Sequence, residues 1–268
     1  MGAGARLLES VAVHSPLLTG DDVVQGVRCQ RTDGDKGRFE IRATVTILAT
    51  GACSKTLRRF GVCARTTPSA LAMRAHWRAP QADPDRILMA FEDDRAATWA
   101  IPLGDDLFNV GAALVVGDDG RVVGDLNRLL ERTMERGRVL GDALRGGRPV
   151  DRAVGAPMRM ALEGARPWKA GLLVAGEALG TTHPLTGQGL WASMESGRLA
   201  AMATLGALGT GQGQSLDAYV KLLRRDGWDR PQRWDGSVLG QAGAALRLAN
   251  GPLRAFPALS RWVMGRFL

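Results

Sequence analysis

The segment that begins at Leu172 constrains the fold of this 268-residue chain more than any other part of the sequence. The apolar run Leu172-Leu173-Val174-Ala175 predicts a short buried strand, and Glu177 and several glycines follow it directly. Open α/β sheets bind ligands at the carboxyl ends of their strands, where glycines let the backbone approach closely. The proline-free stretch from Gly189 to about Leu208 predicts a helix, whose first N–H groups lack partners within the helix. The pattern predicts a site for an anionic or electron-rich ligand, although an ordinary strand–loop–helix connection would use the same residue types.

A second strand of the same type lies far upstream. Val45-Thr46-Ile47-Leu48-Ala49 is a continuous apolar, β-branched run that ends at Thr50-Gly51, which is typical of a buried parallel strand. Two such strands, widely separated in the sequence, predict one α/β domain with another domain inserted into it.

The region between these strands predicts the inserted domain. Four strand patterns separated by turn residues predict an antiparallel sheet, and they cover 71–77, 87–91, 98–101 and 108–116. Residues 125–139 predict a helix with Asp125 as its N-cap. The predicted α/β domain comprises 1–66 and 171–208, the sheet domain 67–170, and a helical C-terminal region 209–268.

Three short motifs in the downstream segment resemble those of a known family. They are Gly176-Glu177-Ala178-Leu179-Gly180, Pro184-Leu185-Thr186-Gly187-Gln188-Gly189 and Ser193-Met194-Glu195-Ser196-Gly197. Together they resemble the second flavin-binding motif of the flavoproteins that include para-hydroxybenzoate hydroxylase. They are most similar to the geranylgeranyl reductase branch of that family.

The resemblance implies that residues 1–66 and 171–208 form a partial, doubly wound FAD-binding domain around an inserted substrate domain. Glu177 would bind the ribityl chain of FAD. The backbone N–H groups from Gly187 to Leu190 would face the flavin pyrimidine ring and stabilise the negative charge of reduced flavin. The cofactor-binding residues that the resemblance implies are Val13, Gly51, Gly176, Glu177, Gly180, Pro184, Gly187, Gln188, Gly189 and Leu190.

The run Thr98-Trp99-Ala100-Ile101-Pro102 resembles the substrate-domain strand of geranylgeranyl reductases, whose pattern is Tyr-x-Trp-x-Phe-Pro. Trp99 and Pro102 match this pattern and would contact the substrate, whereas Ala97 and Ile101 stand where the pattern has Tyr and Phe. A core tryptophan on a strand is the alternative interpretation of Trp99.

The resemblance also points to a segment that we do not find in the sequence. The family begins with a strand and a Gly-x-Gly-x-x-Gly loop that receives the FAD pyrophosphate. Gly2-Ala3-Gly4-Ala5-Arg6 has neither a preceding strand nor the third glycine. We instead expect Ala5 to Val13 to be the end of a helix that runs into a strand, with Val13 near the adenine half of FAD. On this interpretation Met1 lies inside the family's first domain, and the chain alone would bind FAD poorly.

Charge and composition exclude several other classes of function. The net charge is +8 and the pI is near 10.3, but the arginines are interleaved with acidic and small residues, and the densest basic segments are the pairs Arg58-Arg59 and Arg224-Arg225. We therefore predict no nucleic-acid interface. Three cysteines without CxxC spacing and three isolated histidines predict free thiols, a cytoplasmic location and no metal site.

The C-terminal segment is apolar, with Arg254, Arg261 and Arg266 interspersed. This pattern is typical of a helix that contacts a membrane surface, and also of a helix that packs on its own domain.

These expectations combine into an FAD-dependent oxidoreductase of geranylgeranyl reductase type. It would reduce carbon–carbon double bonds of an isoprenoid or other lipid-like substrate, with NAD(P)H as the electron donor. No catalytic side chain is predicted, because the flavin carries the chemistry in such enzymes. The alternatives are a flavin-dependent monooxygenase or halogenase of the same fold, and a truncated chain that is inactive without the missing lobe.

Overall fold

The computed structural model describes residues 4–225 except 35, 66, 92–95, 118, 123, 137–138, 161, 163, 184–186 and 210–215. The chain divides into two compact units. The described part of the first unit comes from Met1–Pro68 and Pro157–Arg233, and that of the second from Ser69–Ala156. The predicted C-terminal membrane-contact segment lies outside the described residues.

The first unit opens with a three-stranded antiparallel sheet. Its strands are β1 (Val11–Leu18), β2 (Val24–Arg31) and β3 (Arg38–Arg42), in that order. The helix end predicted from Ala5 onward is wrong, because residues 4–10 are not helical and the chain enters β1 directly. Val11 and Val13 instead pair with Arg31 and Cys29 of β2.

The two apolar runs identified in the sequence pair with each other in the first unit. They form β4 (Thr46–Leu48) and β12 (Leu172–Val174), which are parallel, with Thr46 opposite Leu172. A short strand, β11 (Trp168–Lys169), lies antiparallel on the other side of β12. All three residues of β12 are fully buried, as expected for a parallel strand that is covered on both faces.

Three helices belong to this unit: α1 (Ser54–Arg59), α4 (Leu190–Gly209) and α5 (Asp217–Arg225). The core joins β12 to one face of α4, through residues such as Leu199 and Ala203, and to Tyr219 of α5. The hydroxyl of Tyr219 is buried and donates a hydrogen bond to the Val174 carbonyl at 2.9 Å. The opposite face of α4 is exposed yet also apolar, and it carries Leu190, Trp191, Met194, Met202, Leu205 and Leu208.

The second unit is built on an antiparallel sheet, as the four strand patterns predicted. Its strands are β5 (Ala70–Arg78), β6 (Leu88–Phe91), β7 (Ala96–Gly104), β8 (Leu107–Val115), β9 (Arg148–Pro149) and β10 (Val154–Met158). The order is β10-β5-β8-β7-β6, with β9 also pairing with β5. The tight turn between β7 and β8 uses Asp105 and Asp106 at φ 49° and 58°, a left-handed conformation that suits the twist of a hairpin.

Helices α2 (Leu126–Arg136) and α3 (Leu140–Ala143) pack against one face of this sheet. The predicted N-cap of α2 is confirmed, because the Asp125 carboxylate accepts a hydrogen bond from the Asn127 N–H at 2.8 Å. The predicted mixed α/β architecture is therefore confirmed. Among the described helices, none is long and apolar enough to cross a membrane.

Candidate functional site

The carboxyl ends of β4 and β12 lie side by side because these two strands are parallel. The backbone hydrogen bonding between β4 and β12 continues one residue beyond β12, where the Ala175 N–H donates to the Leu48 carbonyl at 3.0 Å. Gly51 and Glu177 consequently meet at the same edge of the sheet. A Cβ atom added to Gly51 would lie 4.0 Å from Oε2 of Glu177 and within 4 Å of no other described residue outside its own chain neighbours. The space beside the Gly51 Cα atom is therefore open, and the Glu177 carboxylate lies at its edge.

The Glu177 carboxylate is held by a backbone group. It lies on a 3₁₀ turn, Gly176–Leu179, and its Oε1 accepts a hydrogen bond from the Arg159 N–H at 3.2 Å. Within the described part of the chain, Oε2 has no hydrogen-bond partner. One oxygen therefore positions the side chain, and the other is available to accept a hydrogen bond from a ligand hydroxyl.

Close contacts connect the end of β12 to α4. The Gly176 N–H donates to Oγ of Ser196 at 2.9 Å, and Gly176 has φ +67°, in the left-handed region that favours glycine. A Cβ on Gly189 would lie 2.8 Å from Oγ1 of Thr182. A larger residue at Gly189 would therefore displace Thr182 or the start of α4.

The loop before α4 folds back on itself. The His183 N–H donates to the Gln188 carbonyl at 2.7 Å, and the Gly187 N–H donates to the His183 carbonyl at 2.9 Å. Partial burial lowers the pKa of His183 below its ordinary value. Helix α4 begins at Leu190, so its first N–H groups and its partial positive charge lie at the end of this loop. Pro184 lies outside the described residues.

Val13 lies on β1, in a different sheet from Gly51 and Glu177, and its side chain is exposed. Arg59 of α1 donates from Nη1 to the His14 carbonyl of β1 at 3.2 Å. The structure thus brings together Gly51, Gly176 and Glu177 at one sheet edge, and it leaves Val13 on the neighbouring sheet.

Trp99 and Pro102 both lie on β7, but on opposite faces of the sheet. Trp99 is opposite Gly111 of β8, and its Nε1–H donates to Oδ1 of Asn109 at 3.1 Å. Pro102 is opposite Phe108, which is buried beneath the helices. Because side chains alternate along a strand, these two residues do not face one ligand together.

One group of polar residues was not predicted from the sequence. Nδ1 of His76 lies 2.6 Å from Oδ2 of Asp151, the His76 N–H donates to Oδ1 of Asp151 at 2.7 Å, and Arg74 lies 3.7 Å from the same carboxylate. The hydrogen bonds from His76 lower the pKa of Asp151. The i, i+2 spacing of Arg74 and His76 on a predicted strand was a usable signal, because it places both on one face. Asp151 gave no such signal, because it is 75 residues from His76 in the sequence.

Among the described residues, no group of three or more His, Cys, Asp or Glu side chains could hold a metal ion.

Comparison with known proteins gives a consistent set of relatives. No protein-family model matches the chain. It is 27% identical over 241 residues to digeranylgeranylglycerophospholipid reductase 1 of Methanopyrus kandleri, and the match covers 86% of this chain and 60% of that protein. The chain thus spans about 60% of the length of this curated relative.

Solved structures show the same fold. A geranylgeranyl bacteriochlorophyll reductase-like protein of Thermoplasma acidophilum matches with a TM-score of 0.66 and 18% identity, over 86% of this chain and 60% of its own. The myxobacterial halogenase CndH, an FAD-dependent halogenase, matches with a TM-score of 0.62 and 19% identity, over 96% of this chain and 62% of its own. In sequence and in fold, the chain is therefore similar to geranylgeranyl reductase-like FAD-dependent oxidoreductases, as its motifs predicted.

Proposed function

We propose that the chain belongs to an FAD-dependent oxidoreductase of geranylgeranyl reductase type, which reduces carbon–carbon double bonds of an isoprenoid or other lipid-like substrate with electrons from NAD(P)H. The observation that carries the proposal is the Glu177 carboxylate beside the open space above Gly51, at the ends of two parallel strands. The names of the relatives support the substrate class: one is a digeranylgeranylglycerophospholipid reductase and another is geranylgeranyl bacteriochlorophyll reductase-like.

The residues at the sheet edge fit FAD. Oε2 of Glu177 would accept a hydrogen bond from a ribityl hydroxyl, and the absence of a side chain at Gly51 lets the cofactor lie close to the backbone. Gly187, Gln188, Gly189 and Leu190 would present backbone N–H groups and the positive end of α4 to the electron-rich side of the flavin ring. When bound, FAD would supply the hydride that reduces the double bond.

The residues of this chain would position the cofactor and set the electrostatic potential around its ring. The Arg159 N–H orients Glu177, and the bond from Gly176 to Ser196 holds the strand end against α4. A fixed positive dipole at the start of α4 would favour the anionic form of the reduced ring, which raises its reduction potential. We also propose that Val13, Gly180 and Pro184 contact the cofactor, and that Trp99 and Pro102 belong to the substrate domain.

The Glu177→Gln variant tests this assignment. Glutamine keeps one oxygen for the Arg159 N–H. It has an NH2 group in place of Oε2, and this group cannot accept a hydrogen bond. A hydrogen bond to a charged group contributes about 1.5–3 kcal/mol, so the Kd for FAD should rise by about 10- to 100-fold. Glu40→Gln is the matched control, because Glu40 belongs to the same unit but forms surface ion pairs with Arg28 and Arg42.

Titration of FAD, followed by quenching of its fluorescence, measures both variants under the same conditions. Equal affinities of the two variants for FAD would contradict the role of Glu177. The likeness to a halogenase fold supports one alternative, a reaction of reduced flavin with oxygen. Rapid oxygen uptake coupled to substrate oxidation would favour that alternative, whereas anaerobic saturation of a prenyl double bond would support the reductase.

A further inference from the structure

The sheet of the second unit ends in an edge strand that lacks the usual protection against pairing. Among the described residues, β6 pairs with β7 on one side and with no strand on the other. Edge strands normally carry charged residues or prolines, because their unpaired N–H and C=O groups would otherwise bind another chain. The residues of β6 are Leu88, Met89, Ala90 and Phe91. This strand therefore offers an apolar edge to which a further strand can be added.

Other antiparallel edges of the chain do carry such protection. At the other end of the same sheet, β10 contains Pro157, which has no N–H to donate. In the first unit, the edge strand β1 contains Pro16. The opposite edge strand, β3, carries charges at alternate positions, on Arg38, Glu40 and Arg42. The apolar sequence of β6 is therefore particular to this edge.

Apolar side chains are exposed along this edge. Ile87, which directly precedes β6, is 67% exposed, and Met89 is 39% exposed. Leu88 and Ala90 pack against the core on the helix-covered face. Met89 lies on the other face, opposite Trp99 of β7, because side chains alternate along a strand. Exposed apolar side chains beside an edge that can pair are typical of an interface between chains.

The sequence around β6 is complementary to itself when a second copy lies antiparallel to it. Residues directly opposite each other lie on the same face of a sheet, and a twofold axis through Met89 places this residue opposite its own copy. Ile87 then lies opposite Phe91, and Arg86 lies opposite Glu92, the residue that follows β6 in the sequence. Moving the axis by one residue in either direction places a carboxylate opposite an apolar side chain. The pattern therefore selects one register.

We propose that two copies of this chain associate through β6, as a twofold-symmetric antiparallel pair that joins their sheets into one. The partner is a second copy because the strand complements its own sequence, in apolar contacts and in charge. Backbone hydrogen bonds between the two strands hold the dimer together, and Met89 and Phe91 of both copies bury their side chains on the face without helices. The dimer does not depend on FAD, so the inference goes beyond the proposed function.

Sedimentation equilibrium of the full chain, at concentrations from about 1 µM to about 1 mM, tests the proposal. Dimers of the wild-type chain should be the main species at the upper end of this range. A chain that stays monomeric throughout would overturn the proposal.

Two opposite substitutions of Met89 test the position of the axis. Met89→Lys and Met89→Glu each place two like charges directly opposite each other, so each variant alone should dimerise at least about tenfold more weakly than the wild type. An equimolar mixture pairs an ammonium with a carboxylate at the axis, and its dimer should be at least about fivefold tighter than that of either variant alone. A mixture that dimerises no better than the single variants would show that Met89 does not meet its own copy, which contradicts the proposal.

Met202→Lys is the matched control, because Met202 is similarly exposed, at 42%, but lies on α4 in the first unit. It should leave the dimer unchanged, and a loss as large as that of Met89→Lys would place the contact elsewhere and overturn the proposal. Arg86→Glu changes an exposed residue outside the strand, so it tests the register without altering the sheet. It places two carboxylates opposite each other and should weaken the dimer by about threefold or more, whereas an unchanged dimer would refute this register.

Discussion

Gly111→Ala should strongly destabilise the sheet of the second unit, because two groups occupy the space that a methyl group would need. The added Cβ would lie 2.2 Å from Cζ2 of Trp99 and 2.5 Å from the Met73 carbonyl oxygen. Ordinary contacts between carbon atoms are about 3.5–4.0 Å, so the indole must move by roughly 1 Å or more. Overpacking of this kind costs about 1–3 kcal/mol, and loss of the Trp99–Asn109 hydrogen bond adds about 1 kcal/mol. We therefore expect the free energy of unfolding to fall by about 2–4 kcal/mol.

A double-mutant cycle with Trp99→Ala identifies the source of this cost. Once the indole is absent, Gly111→Ala still conflicts with the Met73 carbonyl but no longer with the indole, so its cost should fall by at least about 1 kcal/mol. Urea unfolding followed by circular dichroism measures each variant, with the slope of the transition checked for constancy. If the two substitutions add to within about 0.5 kcal/mol, the indole does not lie over Gly111 and the reasoning is refuted.

Gly197→Ala provides a matched control for the same substitution elsewhere. Gly197 lies within α4, where an added Cβ would meet nothing within 4 Å. Alanine has the higher helix propensity, so this variant should gain about 0.5–1 kcal/mol of stability. The opposite signs at Gly111 and Gly197 would show that local space, and not the loss of glycine itself, decides the outcome.

Two further predictions concern the first unit. Tyr219→Phe removes the buried hydroxyl that donates to the Val174 carbonyl, so the free energy of unfolding in urea should fall by about 1 kcal/mol, and an unchanged value would argue against this bond. Burial lowers the pKa of His183, so the unfolded chain binds more protons than the folded chain once the pH falls below the unfolded value of about 6.5. The stabilising contribution of neutral His183 is therefore fully present above that pH, and it is lost as the pH falls from that value to the lowered pKa of folded His183. The melting temperature of His183→Asn should decline less than that of the wild type between about pH 7 and about pH 5, and parallel curves would contradict this account.

Much of the local structure follows from the sequence, because it depends on neighbours along the chain. The apolar runs ending at Leu48 and Val174 predicted strands, and both form. The predicted burial is confirmed for β12 but is wrong for β4, because Ile47 is 42% exposed. Asp125 predicted the start of α2 because a carboxylate can bond to N–H groups two or three residues later. The motifs from Gly176 to Gly197 predicted the relatives that the comparisons found. The contacts of Val13 and Pro184 with FAD remain predictions.

Contacts between distant parts of the chain were decided by the tertiary structure alone. The parallel pairing of β4 with β12 brings Gly51 beside Glu177, and no local pattern specifies which strands become neighbours. The same holds for Asp151, which reaches His76 only because β9 returns to pair with β5. Helix α4 shows most clearly what the sequence alone does not determine. Apolar residues lie on every side of this helix, so no periodicity distinguishes the face that contacts β12 from the face that is exposed. Which face is buried depends on the orientation in which the helix packs against the sheet, and that orientation is set by the rest of the fold.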